Sequence, residues 1–210
     1  MNHLVRLLIG TTLVLTALGT TGPRTVHAEV IGLGRSEGGS YTCAGHLSLT
    51  GNSTNDFFVP GELIVTSGSH CTLRHVFVAR NVIVEPGAYL TATELTARDV
   101  RSDRAAEVWL SHSDVMGNVE LKRGTFRTQV DNSTIGGQAD LSENIGDSIL
   151  DSSTVDKDVH FNNNTGLPGT NVAVVQNHIA GLLQCEGNTP PPAQADNRAA
   201  HYQGQCAARP

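Results

Sequence analysis

"VDNSTIGGQADL" (130–141) and "LDSSTVDKDVHF" (150–161) align without a gap, twenty residues apart. Extending the alignment in both directions gives columns of apolar residues. One column is Cys71, Leu90, Leu110, Val130, Leu150 and Val174. A second, five residues on, is Val76, Leu95, Val115, Ile135, Val155 and Ile179. A third is Leu63, Val82, Val100, Val119, Ala139, Val159 and Leu183. The fourth lies two residues beyond it: Val65, Val84, Ser102, Leu121, Leu141, Phe161 and Cys185.

Apolar residues spaced by two share one side of a strand. A period near twenty therefore reads as a solenoid of short strands, each repeat forming one turn. One turn cannot bury its apolar side alone, but stacked turns form a continuous core. Gly and Asn at 86–87, 116–118, 136–137 and 165–166 supply corners. No segment sustains a helical period. The expected fold is all-β: a single-stranded parallel β-helix over residues 61–186, with roughly seven turns of 18–24 residues. Right-handed winding is favoured, because the steps do not divide into the hexapeptides of left-handed β-helices.

The remaining segments read differently. "MNHLVR", the apolar run that follows it, and "VHA" (26–28) form a signal peptide, with cleavage expected after Ala28. That places the mature chain outside the cell or on the cell wall, with no membrane insertion. Residues 29–60 are expected as an N-terminal cap, and the Pro-rich 187–210 as a C-terminal loop or cap. Two of the 14 basic residues lie in the leader and none of the 20 acidic ones, leaving 12 against 20. Such a balance argues against a nucleic-acid partner.

Four cysteines in an exported chain indicate two disulfides. Cys71 and Cys185 fall near opposite ends of the repeat. At about 4.8 Å per turn they stand ~25–30 Å apart, too far to bond. The expected pairs are Cys43–Cys71 and Cys185–Cys206, each stapling an end segment to a terminal turn.

"VTSGSHCTL", "NVIVEPGAYLTA", the recurring "N/D-V-x-[VLF]" and the ending "GLLQCEGNTPPPA…GQC" resemble small secreted β-solenoid proteins of actinobacteria. The resemblance covers most of the mature chain. It implies the fold, export and disulfides, and supplies no activity.

Several residues are candidates for chemistry or binding. Many β-helices are polysaccharide lyases or hydrolases. A lyase needs a base and acids, which Asp99 and Arg101 in "ARDVRSDR" (97–104) offer on one corner. A self-paired, solvated charge run is the simpler reading. Asp131 and Asp151 share a column, as do Glu94 and Asp114. Carboxylates about 5 Å apart suit a retaining glycosidase or a shared cation. Chance and corner propensity explain them more simply. The small polar column Thr93, Ser113, Ser133, Ser153 and Asn177 is expected to hydrogen-bond along the stack. His70, Tyr89 and Trp109 precede inward residues on consecutive turns, which would line up rings on the outside. They are the binding-surface candidates, for a surface glycan or a protein; a ring ladder that only stabilises the sheet, or is covered by an end segment, is the simpler reading. No cofactor is indicated, and the histidines show no metal-ligand spacing. The leading reading is a structural or binding solenoid without an evident catalytic site. The alternatives are a β-helix polysaccharide lyase or glycoside hydrolase, and self-assembly through open solenoid ends.

Overall fold

The computed structural model describes the backbone of residues 33–35 and residues 40–207 in full. The leader and its cleavage point lie outside the described residues. All strands belong to one hydrogen-bonded sheet wound into a parallel β-solenoid of about 8 turns. The one helical element among the described residues is the 3-10 turn Gln205–Ala207.

Each turn adds one strand to each of three faces. Face I starts at Tyr41–Cys43 and continues through Leu63–Val65, Val82–Val84, Val100–Asp103, Val119–Lys122 and Ala139–Ser142. Face II starts at His46–Thr50 and includes the first halves of His70–Val78 and Tyr89–Ala97. It continues through Glu107–Ser111, Arg127–Asp131, Asp147–Asp151, Val172–Val175 and Ala193–Ala195. Face III starts at Phe57–Val59 and later uses Asp114–Val115, Thr134–Ile135 and Thr154–Val155. His178–Cys185 and Arg198–Gly204 each bend from face III into face I.

The ladder thus runs from Tyr41 to Gly204, beyond the 61–186 read from the sequence. Each expected cap contributes close to a full turn. The first of these turns is obscured by a 24-residue step from His46 to His70 that contains the Asn52–Asn55 hairpin. The last turn fills its inward positions with Gln194, Ala199 and Tyr202 instead of large aliphatics. Both expected disulfides form, with Cα–Cα distances of 6.2 Å for Cys43–Cys71 and 5.2 Å for Cys185–Cys206. In the loop-entropy account each contributes about 3 kcal/mol.

The face I columns pair as read: Leu63–Val82–Val100–Val119–Ala139–Val159–Leu183 is one continuous line of buried side chains. The face II column does not. Leu90 pairs with Val108, and Leu110 pairs with Ala92. The true lines are Cys71–Leu90–Val108–Thr128–Ser148–Val172 and Leu73–Ala92–Leu110–Val130–Leu150–Val174. Tyr89 and Glu107 are partners eighteen residues apart, where the preceding step is nineteen and the following two are twenty. With side chains alternating every residue, a slip of two keeps the same set facing inward. Hydrophobic pattern alone cannot detect it. Face III carries the same slip, with Val115 opposite Ala97.

The corners are closed by polar ladders. Between faces I and II, the backbone N–H of Asn144 donates to Asn164 Oδ1 at 2.9 Å, and that of Asn164 to Asn188 Oδ1 at 2.9 Å. Their amide groups donate to the carbonyls of Leu121, Leu141 and Phe161. All three asparagines are buried. Between faces II and III the ladder is Ser113, Ser133, Ser153, Asn177 and Asn197. Thr93 is not a member, because the slip sets it opposite Ser111. The residue before each rung adopts positive φ, as at Glu143, Asn163, Asn132 and Ser152. Left-handed backbone at non-glycine residues costs roughly 1–2 kcal/mol each, which the paired corner groups offset.

Removing a rung strands buried groups on the preceding turn. Asn164→Ala leaves the Asn144 N–H and the Leu141 carbonyl unpaired, for an expected loss of about 2–4 kcal/mol. The exposed Thr165→Ala should stay within ~0.5 kcal/mol. Urea unfolding of both variants measures the contrast.

Candidate functional site

Asp99 is 7% exposed, and its Oδ1 accepts the Asn118 N–H at 2.8 Å. It closes the corner between faces III and I, as Asn118 does for Gln138 and Asp158 for Leu182. Arg98 and Arg101 each approach its other oxygen at 3.8 Å. The proposed base and acid therefore do come together, with the acid acting as a structural cap.

Arg101 also borders a depression of about 440 Å³ on face I, lined in part by Ile83, Pro86, Asp103, Glu120 and Lys122. Its rim charges are largely paired. Arg123 bonds Asp103 at 2.6 Å and Lys122 bonds Asp140 at 2.7 Å. The hydrogen bond to Asp140 is the main cause holding the Lys122 ammonium above its ordinary pKa. A raised folded-state pKa contributes stability that is complete at neutral pH and lost only as pH climbs through it.

Asp131 and Asp151 are direct partners on face II, as the column implied. Asp131, however, is already occupied. Its Oδ1 accepts Trp109 Nε1–H at 2.6 Å and the Gln129 amide at 3.2 Å, and its Oδ2 accepts the Ser111 hydroxyl at 2.8 Å. Asp151 accepts from Ser152 at 2.9 Å. The pair of Glu94 and Asp114 does not form: Glu94 meets His75 at a corner and Asp114 lies opposite Thr96. The two-residue slip again separates what equal steps would have aligned. Among the described residues, no three His, Cys, Asp or Glu converge on a metal-sized site.

The rings rearrange for the same reason. Trp109 lies opposite Thr91 and Gln129, one column away from Tyr89. The continuous row is His46, His70 and Tyr89. Ring centroids are 4.6 Å and 4.1 Å apart, with interplanar angles of 14° and 6°. Stacked along the solenoid axis, these rings use their faces on one another, and both histidines are exposed. His46 was missed by the sequence reading, although "HLSL" (46–49) against "HCTL" (70–73) carries the signal.

Trp109 is held from two sides. Asp131 fixes its N–H, and the Arg127 guanidinium lies 5.6 Å from the ring centroid. Arg127 is in turn flanked by Glu107 and Asp147, both at 3.8 Å. Nothing in the sequence marks this arginine. The result is a half-buried, anchored indole in the middle column of the widest face. Its column neighbours Thr91, Gln129 and Ile149 are smaller. Acidic residues gather on the later turns of the face, where Glu107 and Asp147 lie beside Arg127 and Asp131 lies opposite Asp151.

No family model, curated protein or solved structure matches the chain.

Trp109 is the chain's single tryptophan, so its fluorescence reports this site alone. Asp131→Ala should shift its emission to longer wavelength and raise its quenching by acrylamide. Glu94→Ala, remote from the indole, should change neither.

Proposed function

We propose that the protein is an exported β-solenoid without catalytic activity that binds an extended, polyhydroxylated chain, a surface glycan, on face II. The hydrogen bond from Trp109 to Asp131 at 2.6 Å carries this reading. It occupies the acid that a glycosidase pair would need. It also fixes the one large ring at the centre of the face. A ring already held in place binds without further ordering cost, which favours affinity. The edges of His46, His70 and Tyr89 add donors and acceptors beside it. Amphipathic aromatic groups of this kind suit a ligand with apolar ring faces and a polar periphery.

Export is supported by the two disulfides, which persist in oxidising compartments. Among the described residues no helix is long and apolar enough to cross a membrane.

The test is co-sedimentation with a panel of insoluble neutral and acidic glycans, followed by titration with soluble fragments of whichever is retained. Trp109→Ala should weaken binding about tenfold or more, and Tyr89→Ala by a smaller factor. Unchanged affinity in both variants sinks the assignment of face II. Reducing ends or unsaturated products released from any glycan sink the non-catalytic reading.

A further inference from the structure

We propose that the C-terminal end of the solenoid docks a second copy of this chain, end to end about a two-fold axis. The last turn consists of Ala193–Ala195 and Arg198–Gly204. Each pairs on one side only among the described residues, with Val172–Val175 and His178–Cys185. Tyr202 caps part of this edge, its hydroxyl accepting the Ala199 N–H at 2.9 Å and donating to the Asn197 carbonyl at 2.8 Å. No further strand pairs with the rest among the described residues, which leaves a template for another strand. The ladder between faces II and III stops here as well. Ser113, Ser133, Ser153 and Asn177 each donate their backbone N–H to the next rung. Asn197 accepts from Asn177, but its own N–H meets no acceptor among the described residues.

The end of the core is also open. A cup of about 500 Å³ is lined by Asn197, Ala199, Tyr202 and Cys206 and rimmed by Gln194, Asp196 and Arg198. Asp196 and Arg198 are exposed, and neither has an ion-pair partner among the described residues. An acid and a cation two residues apart on one rim form a self-complementary pattern. In a two-fold interface residue i meets j and j meets i, so Asp196 of each copy faces Arg198 of the other.

The opposite end indicates the geometry. There Leu33–Arg35 lies antiparallel on Tyr41–Cys43, so a face of this solenoid can end on an antiparallel strand. A two-fold C-to-C contact brings edge strands together antiparallel in the same way. A full head-to-tail stack would need parallel pairing on all three N-terminal edges, and Leu33–Arg35 already occupies the one on face I. The arrangement therefore closes at two copies. The cross-section of one turn is small, so the dimer is weak and concentration-dependent.

Sedimentation equilibrium of the full chain over a wide concentration range tests the proposal. The expected result is a reversible monomer–dimer equilibrium without larger species. Asp196→Arg and Arg198→Asp should each lower the association constant about tenfold or more through like-charge contacts. An equimolar mixture of the two variants should restore association as a heterodimer. Both changes are on exposed side chains, and a far-UV spectrum with a thermal transition matching the parent protein verifies folding. A strictly monomeric parent, an open series of oligomers, undiminished association in both single variants, or a mixture that fails to recover would each overturn the proposal.

Discussion

A chain that turns a corner every few residues leaves backbone N–H groups in places that no strand edge can reach. Buried without partners, each such group costs on the order of 1–3 kcal/mol. The solenoid meets this constraint with polar side chains at its corners, each accepting a backbone N–H from an adjacent turn: the preceding one at the first two corners, the following one at the third. Asn144, Asn164 and Asn188 do so between faces I and II. The serine and asparagine row does so between faces II and III. Asp99, Asn118 and Asp158 contribute at the third corner. Strand registers, inward columns and the positive-φ residues beside each rung all depend on these bonds. Without them the short strands, some only two residues long, would have too few ladder hydrogen bonds to hold their register.

The same constraint governs which polar residues remain for other purposes. An acid in a corner of this fold is most readily a cap, as Asp99 shows. An acid on a flat face is available to anchor a neighbour, as Asp131 anchors Trp109. Pairs of carboxylates in one column therefore say little about chemistry until their hydrogen bonds are known. On face II the anchoring network also reaches Arg127, so the indole, the guanidinium and three acids form one connected unit.

Much of the fold was legible in the sequence because aliphatic columns survive in nearly every turn, and face I was readable residue by residue. The disulfide pairs followed from the distance between stack ends. The register of face II was not legible. Leu90, Ala92, Val108 and Leu110 all satisfy the inward rule, and nothing in their chemistry separates a step of eighteen from one of twenty. That ambiguity placed Trp109 in the ring row by sequence when it lies one column away, while the 24-residue step hid His46 from it. The partnership of Trp109 with Arg127 and Asp131 was invisible for another reason. It depends on where long side chains lean across a sheet, which alternation does not encode. The terminal turns escaped because one contains an inserted hairpin and the other replaces its inward aliphatics with Gln194, Ala199 and Tyr202.

The eighteen-residue turn has a consequence for how such a protein can change. Gaining or losing two residues at a corner leaves every core position occupied by a core residue. It nonetheless displaces all outward side chains on one side of that turn by a full column relative to the other. Short corner indels are thus nearly silent for stability and abrupt for the surface. Lineages of this fold can reshuffle the faces they present to the outside by shifting phase, while the interior remains unaltered.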